Sequence, residues 1–167
     1  MSHAMSPLCL LFVGFVLCAS AGTTAARKLE KRSLSCSPVP ADDRNLERTE
    51  QRILPPGKCL EQFECPVNKT EWLLAQDSEI ENCKRPVSWK DANPDVPIQC
   101  YVAVMQPGGL MNVGQWAAGD QKGCEKWKYC NGPLKVGVRY GVKLRIHIKG
   151  GYVDTEPAFF TAGLHAP

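Results

Sequence analysis

The sequence predicts an all-β protein: an antiparallel β-sandwich with an irregular, disulfide-linked N-terminal segment. Three observations predict it. Tyr140, Val142, Leu144, Ile146 and Ile148 stand at every second position, with Lys143, Arg145, His147 and Lys149 in the gaps. That is the two-residue period of a strand with one buried and one wet face. Ile98, Cys100, Val102 and Val104 alternate in the same way against Gln99, Tyr101, Ala103 and Met105. Between such runs lie the turns "QPGG", "CNGP" and "KGG", and no long stretch carries a helical period.

The N-terminal end carries an apolar run from Leu8 to Cys18 followed by "ASAG", with Ala19 and Ala21 at the small positions of a signal-peptidase site. Residues 1–21 therefore read as a secretory signal. The run is shorter than the ~20 apolar residues of a membrane-spanning helix, which disfavours an uncleaved anchor. The tail "TAGLHAP" resembles neither a span nor a lipid-anchor signal. The expected product is secreted and extracellular, with no membrane span once the signal is removed. The pair Lys31-Arg32 reads either as a processing site that frees Ser33 or as a solvated charge run in a flexible arm.

Charge is distributed unevenly. The chain is formally +3, but Arg27, Lys28, Lys31 and Arg32 against Glu30 account for all of it. Residues 33–83 hold five bases and ten acids, whereas residues 121–167 hold eight bases and three acids. A basic footprint for nucleic acid is not supported, and a dipolar surface is. Of nine cysteines, Cys9 and Cys18 fall in the signal. The remaining seven read as disulfides in an oxidising compartment, with one thiol left over. Cys59 with Cys65 and Cys124 with Cys130 are the two local pairs by spacing. Cys36, in the polar N-terminal arm, is the expected odd thiol. A zinc site is disfavoured, since no C-x-x-C pair occurs and only His147 and His165 follow the signal.

Residues 22–82 form the cysteine-containing N-terminal segment, acidic and broken by prolines. "DRNLERTEQRIL" has the marks of a short helix, with Asp42 or Asp43 as N-cap and "PP" as the stop. "KTEWLLA" is a short strand or a turn of helix; the pattern does not separate the two. "NKT" at Asn68 is a glycosylation sequon and, if used, lies on the surface. From Cys83 onward the signals turn β-like. "PVSW" is a short segment, "KDANPDVP" a loop, and "IQCYVAVM" a strand whose mildly polar outer face suggests a central position. The loop "LMNVGQWAAGDQKGCEKWKYCNGP" is irregular and clipped by Cys124–Cys130. The alternating strand follows, and then "YVDTEPAFFTA", where Pro157 marks an edge because proline cannot donate a ladder hydrogen bond.

The stretch "PLKVGVRYGVKLRIHIKGGYVDT" resembles the end of a fibronectin type III domain, in which a leucine precedes a tight turn and a tyrosine opens an alternating strand. Leu134, "KVGV" and Tyr140 take those places here, with Val136 and Val138 departing from the usual proline and threonine. The resemblance implies that the Tyr140 ring enters the core and its hydroxyl bonds nearby backbone. It also implies that the Tyr140 strand is strand F, "YVDTEPAFFTA" strand G and "VPIQCYVAVM" strand C. "YCNGPLKVGVRYGVKLRIHIKGGYVDT" is more narrowly similar to the membrane-proximal type III domains of receptor tyrosine phosphatases. The similarity covers residues 83–163 and is strongest over 129–155. The phosphatase loop, with its His-Cys pair, is not in this sequence.

No arrangement in the sequence places a nucleophile and a carboxylate around His147, so a solvated histidine is expected there. The pairs Asp91/Asp95 and Asp42/Asp43 lack calcium-loop spacing and read as turn residues. No catalytic, cofactor or metal residue is expected. The row Lys143, Arg145, His147 and Lys149 has two readings: a cationic stripe that meets an acidic protein or sulfated glycan, or a wet face whose charges guard an edge. Trp116 and Trp127 likewise either cover the core or anchor a partner. The expected function is a secreted, non-catalytic protein-binding or adhesion module related to a receptor tyrosine phosphatase ectodomain. The alternative is a secreted cysteine-rich effector: a ligand, a processed precursor or a protease inhibitor.

Overall fold

The computed structural model describes residues 33–164 apart from 62, 64, 93–95, 110–112 and 121–123. The signal over 1–21 and the pair Lys31-Arg32 lie outside the described residues.

Two sheets face each other across one apolar core. The larger runs β1 (Ser33–Leu34), β8 (Gly151–Thr155), β7 (Arg139–Ile148), β4 (Val67–Gln76), β5 (Tyr101–Pro107), with β9 (Ala158–Thr161) also on β7. The smaller runs β2 (Val39–Ala41), β3 (Gln51–Leu54), β6 (Trp116–Ala118). All pairs are antiparallel except β1 with β8. Two short helices, α1 (Gly57–Glu61) and α2 (Trp89–Ala92), and a 3-10 turn at Asp77–Ile80 complete the described chain.

The alternation of β7 sends Tyr140, Val142, Leu144 and Ile146 inward, each buried. They meet Trp72, Leu74, Tyr101 and Val153 of the same sheet and Ile53 and Ala118 of the other. Ile148 and Val104 pack at the margin of this core. The hairpin from β7 to β8 closes through Lys149 and Gly150 alone, with Ile148 opposite Gly151. Gly150 has φ of 89°, a region that a two-residue hairpin turn requires and side chains avoid. After β8 the chain breaks at Glu156-Pro157 and re-pairs with the first half of β7 as β9, so proline falls between ladders.

Four expectations need correction. First, the boundary at 82/83 does not separate structural units. Residues 39–76 supply β2, β3 and β4, and β4 is the central partner of β7 along its whole length. The segment is not irregular, because the run "EWLLAQ" is covered on both faces and so lacks the alternation that announces a half-buried strand. Second, β5 is the edge of its sheet, not its centre, and does not pair with β7. The place beside β7, expected for "VPIQCYVAVM", is held by β4. Val102 also faces away from the main core, into a second cluster with Leu73, Ala75, Ile80, Cys83 and Cys100. Third, "DRNLERTEQRIL" is no helix. Asp43 accepts from the Asn45 N–H at 3.0 Å and from Arg52 Nε at 3.0 Å, which holds a turn, and Ile53 goes into β3. Short polar side chains that bond their own backbone favour turns over helices. Fourth, Cys36 is not the odd thiol. Cys36 and Cys65 are both disulfide-bonded. Cys36 follows β1 onto the sheet, where its carbonyl accepts from the Glu156 N–H at 3.0 Å. The Cys59 side chain lies outside the described residues.

Candidate functional site

The outer face of the β4–β7–β8 sheet carries the row singled out by sequence, and it is not wet. Lys143 is 3 % exposed and Arg145 2 %. Burying two cations costs far more than folding can absorb unless carboxylates meet them. Asp154, directly opposite Arg145 on β8, does this. Its Oδ1 accepts from Arg145 Nε at 2.7 Å and its Oδ2 from Arg145 Nη2 at 2.9 Å, a two-point geometry. Lys143 Nζ lies 2.9 Å from the same Oδ2. The remaining guanidinium donors reach the carbonyls of Cys83 and Lys84. The guanidinium carbon stands 3.8 Å from the centre of the Tyr152 ring. Burial acts to lower the Arg145 pKa, but the hydrogen bonds and charge of Asp154 outweigh it and hold the pKa above its ordinary value.

Next along the strand, His147 Nε2 lies 2.8 Å from Glu71 Oε2, and Lys69 Nζ donates to Glu71 Oε1 at 2.7 Å. Burial alone raises the Glu71 pKa, yet these two partners hold it below the ordinary value. Lys149, past the end of β7, is exposed.

The face is covered by the chain between β4 and α2. The 3-10 turn sets Ile80 onto Gly141, where an added Cβ would stand 2.3 Å from Ile80 Cγ2. Cys83 then bonds Cys100, with Cα atoms 5.6 Å apart, and draws the cover down beside β5. A shallow groove follows this strap, lined in part by Asn82, Lys84, Arg85 and Gln99. The expectation of a solvated cationic stripe is thus overturned for Lys143 and Arg145, which cannot meet a macromolecule while the cover is in place. His147 is half-buried, and Lys149 remains accessible.

The two tryptophans part company. Trp116 on β6 packs tilted against Trp72, centroids 5.6 Å apart, and belongs to the core margin. Trp127 is 69 % exposed. It stands in the loop closed by Cys124–Cys130, whose Cα atoms are 4.8 Å apart, as the spacing predicts. Glu125, Lys126 and Lys128 beside it are exposed as well. The loop is held to the sandwich by Asn131, which is buried. Its Oδ1 accepts from the Gly119 N–H at 2.8 Å, and its Nδ2 donates to the Ala117 carbonyl at 2.6 Å and to Asp120 at 2.7 Å. Asn68, the sequon residue, is exposed on β4.

Sequence reasoning missed Glu71, Asp154, Tyr152 and Asn131. Glu71 and Asp154 had a legible signal: each is the one acid of its strand. Among the described residues no three His, Cys, Asp or Glu side chains converge as a metal site, and no helix is long and apolar enough to cross a membrane. No protein-family model matches the chain, and no curated protein matches it.

Proposed function

We propose that the chain is a secreted, non-catalytic binding or adhesion module of fibronectin type III kind, related to receptor tyrosine phosphatase ectodomains, that meets an extracellular protein or sulfated glycan. Two features support the type III part. In immunoglobulin-like sandwiches strands A, B and E share one sheet and C, F and G the other. The order β2-β3-β6 against β4-β7-β8/β9 follows that division, with β5 added beside β4. The Tyr140 ring is buried, and its hydroxyl accepts from the Lys135 N–H at 3.0 Å, the corner that the resemblance implies.

The observation that carries the binding part is Trp127. An indole 69 % exposed, flanked by exposed Lys126 and Lys128 and fixed by a six-residue disulfide step, is a poor choice for a surface with no partner. Preorganised aromatic and cationic groups are what interface hot spots use. The row on β7 contributes differently. It secures the sheet, and Lys149 is its accessible remnant.

The test uses the whole chain, multimerised and applied to a panel of extracellular domains and to heparin resin. Binding to at least one is expected to fall tenfold or more in Trp127→Ser. Lys126→Ser with Lys128→Ser is expected to reduce its salt dependence, with the unfolding midpoint unchanged. Binding that survives both variants would remove the loop from the reading. Protease inhibition or receptor activation without a loop requirement would favour the effector alternative.

A further inference from the structure

Thr70 is a residue that the fold does not explain. It lies on β4 between Ile146 and Gln106, 1 % exposed, and its hydroxyl has no hydrogen-bond partner. Valine has nearly the same shape, the higher strand preference, and no buried oxygen to desolvate. An unpartnered buried hydroxyl is destabilising, and it calls for a reason outside the folded state.

Two residues earlier, Asn68 points the other way in every respect. It is exposed, and it falls where the β4–β7 register shifts between Val67 and Lys69, so no ladder partner stands opposite it. Its carbonyl accepts from the Gly108 N–H at 3.1 Å, which fixes the backbone and leaves the side-chain amide outward. Asn68-Lys69-Thr70 is a glycosylation sequon, whose reading requires both an amide at the first position and a hydroxyl at the third.

We propose that Asn68 carries an N-linked glycan and that the buried Thr70 hydroxyl serves its attachment, before β4 is paired, rather than the folded protein. This rests on the secretion reading, which brings the chain to the compartment where transfer occurs. The Asn68 amide nitrogen forms a C–N bond to the anomeric carbon of a lipid-diphosphate oligosaccharide. The lipid diphosphate leaves with the bonding electron pair, and the amide proton passes to base. Once folded, the hydroxyl is buried in the paired β4 and no enzyme can read it, so the order is attachment first and pairing second. The glycan then stands at the end of the sheet where β4 begins and β5 ends.

The full chain is expressed in a eukaryotic secretory line as wild type, Asn68→Gln, Thr70→Ser and Thr70→Val. Wild type and Thr70→Ser are expected to lose mass on treatment with an N-glycosidase, and Asn68→Gln and Thr70→Val to run at the lower mass untreated. The unfolding midpoint of Thr70→Val is expected at or above that of Asn68→Gln. Folded, unglycosylated protein is expected to accept no glycan from microsomes that modify the unfolded chain. Wild-type protein in the medium without a glycan overturns the proposal while secretion stands. Protein retained in cells without a glycan overturns both. A midpoint for Thr70→Val well below Asn68→Gln returns the hydroxyl to the fold and overturns its assigned role.

Discussion

Arg145 and Asp154 face each other across β7 and β8 and join at two points while each is under a tenth exposed. Asp154 also meets Lys143, so one carboxylate answers two buried cations. Asp154→Ala is expected to cost about 3–5 kcal/mol, the usual result of stranding a buried charge. Replacing Lys143, Arg145 and Asp154 together by Met, Met and Leu is expected to cost less than that single change. Urea unfolding of wild type and the two variants checks this, and a triple replacement that costs as much as Asp154→Ala or more would show that the three do not act as a unit.

Gly141 and Ile80 are expected to be coupled. Gly141→Ala drives a Cβ into the Ile80 side chain and costs about 1–3 kcal/mol by overpacking. In Ile80→Ala the same change costs less, because the obstructing methyl is gone. A double-mutant cycle measures the difference, and a zero coupling term would mean that the 3-10 turn does not press on β7.

Acid is expected to weaken the outer face through Glu71. Its folded-state pKa lies below the ordinary 4.5, so the folded protein binds fewer protons there than the unfolded chain. The stability it contributes is present above the unfolded value and is lost as pH falls through the lowered folded value. Glu71→Gln is therefore expected to flatten the acid limb of a stability–pH profile below 4.5. An acid limb identical to wild type would show that Lys69 and His147 do not hold the carboxylate.

Residues 83–167 alone are expected not to fold. They keep β7 but lose β4, its partner from Val67 to Gln76, and lose β3 from the facing sheet. A dispersed amide spectrum from that fragment would restore the boundary at 82/83.

The tryptophans are expected to separate in stability as they do in exposure. Trp127→Ser should lie within about 0.5 kcal/mol of wild type. Trp116→Ala, which removes the ring packed tilted against Trp72, should cost about 3 kcal/mol. Equal midpoints would mean that both rings serve one role.

The sequence by itself determined β7, its inward residues and the Cys124–Cys130 clip, because each is a local pattern: a two-residue period and a short spacing. The buried Tyr140 hydroxyl bond was expected only from the family resemblance. The sequence did not determine β4. A strand buried on both faces has no alternation, and "EWLLAQ" has the same apolar run as a buried helix turn. Nor did it determine the fate of Lys143 and Arg145. Alternation reports that two faces differ, not that the second is wet. Only the fold brings Asp154 opposite Arg145 and lays Cys83 and Lys84 over it, through a disulfide to Cys100 whose pairing no spacing rule selects. Trp116 and Trp127 are eleven residues apart in the chain and chemically alike. Their opposite placements depend on whether a second sheet stands beside them, and that is a property of the whole chain rather than of any stretch of it.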